Sequence, residues 1–295
     1  MNRFLRLYSQ VACMEALRLP DCGLVVLPSW FGDVFKKLAR LMLHNNRPKA
    51  LPESIGQLVH LQTLHLGNNE LTKLPEACGQ LVLLEDCGLE KNYLTTLPET
   101  FGHLRSLECL NLHNNRLTTL PDSFGQLVRL DWLDLSCNRL PTLPGSLAQL
   151  QGLMNVDLVN NELVLPPSIG QLGRLRTLHL GKNQLTTLPE TFGELIALED
   201  CGLENNKLTK LPETFGYLRS LECLRLHNNE LTTLPDSFGR LARLQVLDLS
   251  CNCLSEVPES LGQLQGLMDL DLANNVLPPS PRLNLRNPST HVKWS

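Results

Sequence analysis

The dipeptide Leu-Pro recurs at Leu51, Leu74, Leu97, Leu120, Leu143, Leu165, Leu188, Leu211 and Leu234, and Val257-Pro258 closes the series. Successive steps are 23 residues, with one of 22 between Leu143 and Leu165, and Leu27-Pro28 upstream starts a unit of 24. A fixed period in this range leaves few folds open. A unit this short cannot bury an apolar face by itself, so consecutive units must stack and share one core. Eleven units and a degenerate one ending near Leu24 cover almost everything from residue 14 to 278. Nothing in charge or composition marks a linker between halves, so the count of domains follows the repeat rather than the length.

Each unit carries the spacing seen at Leu61, Leu64, Leu66, Asn69 and Leu71. The Leu-x-Leu step alternates and predicts a short strand whose leucines face inward, with the residues around them facing out. The asparagines form a column from Asn46 through Asn69, Asn92 and Asn115 to Asn275. Their amides are expected to satisfy backbone groups of neighbouring turns, since a buried polar group left unpaired is costly. The other half of a unit reads Leu-Pro-Glu-Thr-Phe-Gly. The proline suits a first helical turn, an acidic residue follows at the positive end, and the glycine would stop or bend the segment. A short helical or 3₁₀ turn is expected there, with Phe31, Phe101, Phe124, Phe192, Phe215 and Phe238 stacked as a core column.

A second regularity lies above the first: residues 51–164 return as 165–278 at a constant offset of 114. Leu104-Arg105-Ser106-Leu107-Glu108-Cys109-Leu110 reappears as Leu218-Arg219-Ser220-Leu221-Glu222-Cys223-Leu224, so a five-repeat block was duplicated. One continuous parallel sheet is expected, with no hinge at residue 165. Residues 1–26 read as an N-terminal cap (helical spacing over 2–14) with the degenerate first repeat, 27–279 as the repeat array and 280–295 as an irregular tail. With no amphipathic cap after Val276 and Leu277, the repeats beyond Val257 are expected to fray.

The net charge of −4 and 5% aromatic residues exclude a basic nucleic-acid binder and an acidic disordered tail. No stretch approaches the ~18 apolar residues of a membrane span. The segment Met1 to Tyr8 lacks the apolar run of a signal peptide. The ten cysteines fall into repeat columns (Cys87 with Cys201, Cys109 with Cys223, Cys137 with Cys251), which points to reduced thiols and a cytoplasmic protein. No phosphate loop, dinucleotide fingerprint, zincin helix or nucleophile elbow occurs at its required spacing. Cys251-Asn252-Cys253 has no second pair to complete a metal site. No catalytic residue, cofactor or metal is expected.

Across the ten units from Leu61 to Leu272 the outward strand positions carry acids: Glu85, Asp86, Glu108, Asp131, Asp134, Asp157, Glu199, Asp200, Glu222, Asp248, Asp269 and Asp271, against only Arg176, Arg225, His65 and His179. Arg105, Arg129, Arg174, Arg219, Arg240 and Arg243 lie in the opposite segments and turns. Trp132 stands at an outward position where other units have Thr63, Asp86 or Cys109, and tryptophan is enriched at interface hot spots. Asp86, Glu108, Asp131, Trp132, Asp134, Asp157, Arg225, Asp248 and Asp271 are therefore the candidate partner-binding residues.

The unit L-P-x-x-[FI]-G-x-L-x-x-L-x-x-L-x-L-x-x-N-x-L resembles leucine-rich repeats of the intracellular Ras-group type, found in animal Ras–Raf scaffolds and plant Ras-group proteins. The resemblance implies an α/β solenoid, a horseshoe with a parallel concave sheet and short helical or 3₁₀ convex segments. It also implies a protein-binding scaffold in intracellular signalling that holds a partner, such as a small GTPase or phosphatase, on the concave face. The acids there add the expectation of a basic partner surface. Two other classes stay open: a recognition fragment of a larger enzyme (a ubiquitin ligase or kinase), and an extracellular recognition receptor.

Overall fold

The computed structural model describes residues 13–278 and 285–294. The chain divides into two compact units, 1–140 with 144–152 and 141–143 with 153–295. In the first, parallel strands of three residues follow one another in chain order: β1 (Ala16–Arg18), β2 (Arg40–Met42), β3 (Thr63–His65), β4 (Asp86–Gly88), β5 (Cys109–Asn111) and β6 (Trp132–Asp134). The second does the same with β7 (Asn155–Asp157), β8 (Thr177–His179), β9 (Asp200–Gly202), β10 (Cys223–Arg225), β11 (Val246–Asp248), β12 (Asp269–Asp271) and β13 (His291–Lys293). Residue 165 lies between β7 and β8, which pair in parallel register, so the duplication joint falls inside a folded unit.

The register places like on like. Leu64 stands between Leu41 and Cys87, and Leu110 between Cys87 and Leu133. These middle residues are buried, while their flanking neighbours stay half or fully exposed except where the third residue is Gly88 or Gly202. Each strand is short because the chain turns two residues later. The residue before the ladder asparagine adopts a left-handed backbone, with φ of 53–60° from Asn45 to Asn274. Asparagine tolerates that conformation better than most side chains.

The asparagine column behaves as the spacing predicts. Asn92 is 3% exposed; its Nδ2 donates to the carbonyls of Leu89 (3.0 Å) and Leu66 (2.9 Å), and its Oδ1 accepts from Leu71 N–H (3.0 Å). Each amide thus closes its own turn and joins it to the preceding repeat. The phenylalanines are equally regular: Phe192, Phe215 and Phe238 are fully buried with ring centroids 5.8 and 6.1 Å apart.

On the other side of each unit the chain forms five-residue 3₁₀ turns such as Glu53–Gln57, Glu99–His103 and Glu213–Tyr217, and one short α-helix, α1 (Phe31–Val34). Two local expectations need correction here. The proline of each Leu-Pro stands one residue before the turn, in an extended conformation (Pro98 φ −66, ψ 151), and Phe101 N–H donates to its carbonyl. Its ring fixes φ for an extended entry, and the acidic residue takes the first helical place. The glycine does not stop the segment; it lies inside it. A Cβ on Gly102, Gly193 or Gly216 would fall within van der Waals contact of the next repeat's backbone, at Ser123, Thr214 or Ser237. Glycine is required because adjacent turns stack so closely. Hydroxyls brace the same seam, as Thr100 Oγ1 donates to the Glu76 carbonyl at 2.7 Å.

The tail is not wholly irregular. Residues 291–293 form β13, Leu272 N–H donates to Lys293 O at 2.9 Å, and His291 N–H to Met268 O at 2.7 Å. Asn287 Nδ2 and Thr290 Oγ1 each donate to Leu267 O at 2.8 Å. The edge of β12, which the sequence left bare, is therefore covered, and Val292 lies opposite Leu270. A single three-residue strand has no period to betray it. The helical cap expected over residues 2–14 lies almost entirely outside the described residues.

Candidate partner-binding face of the sheet

The first and third residues of each strand, and the residue just before it, make up the open face of the sheet. Asp86 and Trp132 occupy first positions; Asp134, Asp157, Arg225, Asp248 and Asp271 occupy third positions; Glu108 and Asp131 precede β5 and β6. Two of these meet in one place. Asp86 and Trp132 line a cleft of about 480 Å³ in the first unit, with His44, His65, Gly88, Glu90, Cys109 and Asn111 completing the walls. Trp132 is half buried here rather than standing free, opposite Cys109 of β5. Glu108 reaches away to Arg129 at 3.5 Å.

The third-position aspartates also have a structural task. Asp134 Oδ1 accepts from the N–H of Ser136 (2.8 Å), Asp157 from Val159 (2.9 Å), Asp248 from Ser250 (3.0 Å) and Asp271 from Ala273 (2.9 Å). Asn111 makes the same bond to His113, at 3.0 Å. These side chains hold the turn that leaves the strand, a local bond that Asp and Asn make readily.

A face of acids with few basic residues among them was expected; the structure pairs many of those acids with a basic side chain. His65 Nε2 lies 2.8 Å from Asp86 Oδ2, His227 Nδ1 3.0 Å from Asp248 Oδ2, and Lys293 Nζ 2.9 Å from Asp271 Oδ2. Arg176 reaches Glu199 at 2.9 Å. Histidines one strand away supply this balance, and the reading by columns did not pair them. Arg18 and Arg40 add exposed positive charge on β1 and β2.

Arg225 is the most heavily engaged of the candidates. Its Nη2 donates to Asp200 Oδ1 at 2.8 Å and lies 3.1 Å from His179 Nε2, its Nη1 donates to Cys223 Sγ at 3.1 Å, and its Nε is 4.0 Å from Glu204 Oε2. His179 stands between two carboxylates, Asp157 (3.9 Å) and Asp200 (3.4 Å). Asp157 first, then Asp200, push its pKa up to about 9. Burial opposes that rise, but the two carboxylates outweigh it. Burial works against the Asp200 carboxylate, yet His179 and Arg225 outweigh it and hold Asp200 below the usual range. In the first unit the hydrogen bond to Asp86 raises His65. Burial, reinforced by Asp86 and Asp131, pushes the Cys109 thiol up to about 11, which keeps it protonated and a poor nucleophile at neutral pH. Among the described residues no three His, Cys, Asp or Glu side chains converge in metal-binding geometry.

Sequence reasoning missed Glu90, Gly88 and Asn111 as parts of the cleft. The signal for them was the duplication itself, since Gly88 and Glu90 return as Gly202 and Glu204 while Asn111 is replaced by Arg225.

The family model described as a leucine-rich repeat matches residues 36–94, 88–140 and 107–163, and that of a leucine-rich repeat region matches 166–273. The chain belongs to the leucine-rich-repeat proteins, whose fold is typically a scaffold for protein recognition. No curated protein matches it at a significant level. Among solved structures, a leucine-rich-repeat protein of Leptospira interrogans is 29% identical with a TM-score of 0.54, covering 98% of this chain and 97% of that one. The plant peptide hormone receptor RGFR1, solved in complex with RGF2, is 28% identical with a TM-score of 0.78, over 93% of this chain but 45% of its own. An internalin (inlF) of Listeria monocytogenes has a TM-score of 0.81 at 21% identity, over 98% and 84%. Among the described residues no helix is long and apolar enough to cross a membrane.

Proposed function

We propose that this protein is a non-enzymatic recognition scaffold of intracellular signalling, and that its partner is a protein carrying a basic surface, docked on the open face of the sheet. The observation that carries the reading is the cleft between Asp86 and Trp132, an apolar ring beside carboxylates on an otherwise polar sheet. The resemblance to Ras-group repeats favours a small GTPase or phosphatase as the partner. The similar structure of the plant peptide hormone receptor RGFR1 was solved in complex with RGF2, which supports a recognition role. A cytoplasmic setting agrees with cysteines used as core residues: Cys78, Cys87 and Cys201 are buried in columns that other repeats fill with apolar side chains.

The test is binding of a captured partner to variants of each face. Asp134→Asn with Asp157→Asn keeps the turn bonds, since an amide oxygen accepts as well, and removes two charges. Association should slow and lose part of its salt dependence. Trp132→Ala should speed dissociation, by about 2 kcal/mol if it is a hot spot. Arg105→Ala and Arg219→Ala, on the side of the 3₁₀ turns, serve as controls. Loss of binding in the controls with none in the sheet-face set would refute the assignment.

A further inference from the structure

The internal duplication supplies a comparison that no relative does, because the two copies of the cleft differ in what fills them. Around Gly88, the point where a Cβ would stand lies 3.1 Å from Glu90 Oε2 and 3.2 Å from His65 Cδ2. Around Gly202, the matching distances are 3.0 Å to Glu204 Oε2 and 3.3 Å to His179 Cδ2. These two pairs of distances agree to 0.1 Å. Asp86 and Asp200 correspond as well, each turning Oδ2 to its histidine, at 2.8 and 3.4 Å. The second pit has one further neighbour, Arg225 Nη2, 3.6 Å from the same point and 2.8 Å from Asp200 Oδ1. In the first copy that position is Asn111, too short to reach across, and its Oδ1 is engaged with His113 N–H. A cleft remains, and Trp132 lines it where the second copy has Val246.

We infer that the cleft over Gly88 is a receptor for an arginine side chain of a partner protein, with Asp86 and Glu90 taking the guanidinium and Trp132 lying against it. The second copy shows this acid pit accommodating a guanidinium supplied by the chain itself. The first copy keeps the acids and the histidine, lacks the internal guanidinium and gains an aromatic wall. Arginine fits better than lysine: a planar fork of donors suits two carboxylates at once, and it stacks on an indole. Arg225, conversely, is a built-in occupant and leaves its own pit closed to partners. The inference rests on the sheet face being the recognition surface, and narrows it to one side chain.

The experiment uses the full chain, labelled for NMR, titrated with N-acetyl-arginine amide and in parallel with N-acetyl-lysine amide. The readout is the indole N–H of Trp132, assigned through Trp132→Phe. The arginine probe should shift it saturably, with the lysine probe weaker by roughly tenfold. Asp86→Asn should weaken the arginine probe by roughly tenfold or more. Asn111→Arg, which copies the second pit into the first, should abolish the response, with circular dichroism reporting whether that variant is folded. Equal affinity for the two probes, an undiminished response in Asp86→Asn, or an undiminished response in folded Asn111→Arg would overturn the inference. Should the arginine probe fail while Asp134→Asn with Asp157→Asn still slows the captured partner, the arginine pit falls and the broader reading of the face survives.

Discussion

At the scale of single residues, the ladder asparagines carry more than their size suggests. Asn115 joins three backbone groups: it donates to Leu89 O and Leu112 O, both at 3.0 Å, and accepts from Leu94 N–H at 3.1 Å. Asn115→Ala leaves the buried Leu94 N–H without a partner, while Leu89 O and Leu112 O keep the amides of Asn92 and Asn138; it should cost about 1–3 kcal/mol, read from urea denaturation. The His179 cluster makes a second prediction. Its folded pKa of about 9 lies above the ordinary 6.5, so the stabilisation is complete below about 6.5 and is lost as pH rises through 9. Stability should fall over that alkaline window, and the His179 ring proton should titrate near its upper end. Asp157→Asn should move that midpoint down and Arg225→Asn move it up; an unshifted midpoint in both would contradict the pairing seen here. The asparagines were legible because a polar residue recurring at a buried phase must be satisfied. The turn-holding role of Asp134 and Asp248 was not, since an aspartate that binds a backbone N–H and one that awaits a ligand look alike in a sequence.

Among the elements, strands and 3₁₀ turns could be read from the repeat, but their edges could not. The Leu-x-Leu alternation located every strand from β3 to β12, and the Phe column located the core. The glycine in each turn was read as a local stop, when its requirement comes from the repeat stacked above it. A contact 20 or so positions away leaves no local mark. β13 was missed for a related reason, since Val292 is one apolar residue between two polar ones. Its effect is testable: deletion of residues 285–295 exposes the β12 edge and removes the bonds to Leu267, Met268 and Leu272. Hydrogen exchange should then speed selectively over residues 257–278, with residues 165–234 unaffected. Unchanged protection in 257–278 would mean that the tail only rests on the edge.

For the whole molecule, the repeat determines how a disturbance spreads. Within each unit, strands and turns touch their immediate neighbours in the chain, so stability is a sum over repeats and the joints between them. Gly102→Ala should therefore cost about 2 kcal/mol, as the Cβ drives against Ser123. Amides of residues 99–126 should lose exchange protection while those of 36–60 keep theirs. Equal loss in both stretches would point to a more cooperative body than these contacts imply. The candidate site was half legible at this scale. Asp86 and Trp132 were singled out by charge and by oddity, but which basic side chain meets which acid was not read. Pairing of His65, His227 and Lys293 with acids needs the register between strands, which column-by-column reading does not supply.

The asparagine ladder has a consequence for how such a chain can grow. Within each unit the joints share one polarity: one repeat offers a backbone N–H and a carbonyl, and the following repeat brings the amide that fits both. The joint at the duplication boundary is no exception, with Leu163 N–H meeting Asn183 Oδ1 at 3.1 Å and Asn183 Nδ2 meeting Leu158 O at 3.0 Å. A plug that fits every socket lets a copied block be spliced in whole, without new chemistry at the seam. The copied face is then released from building the array, and one of its two clefts is free to drift toward a different occupant.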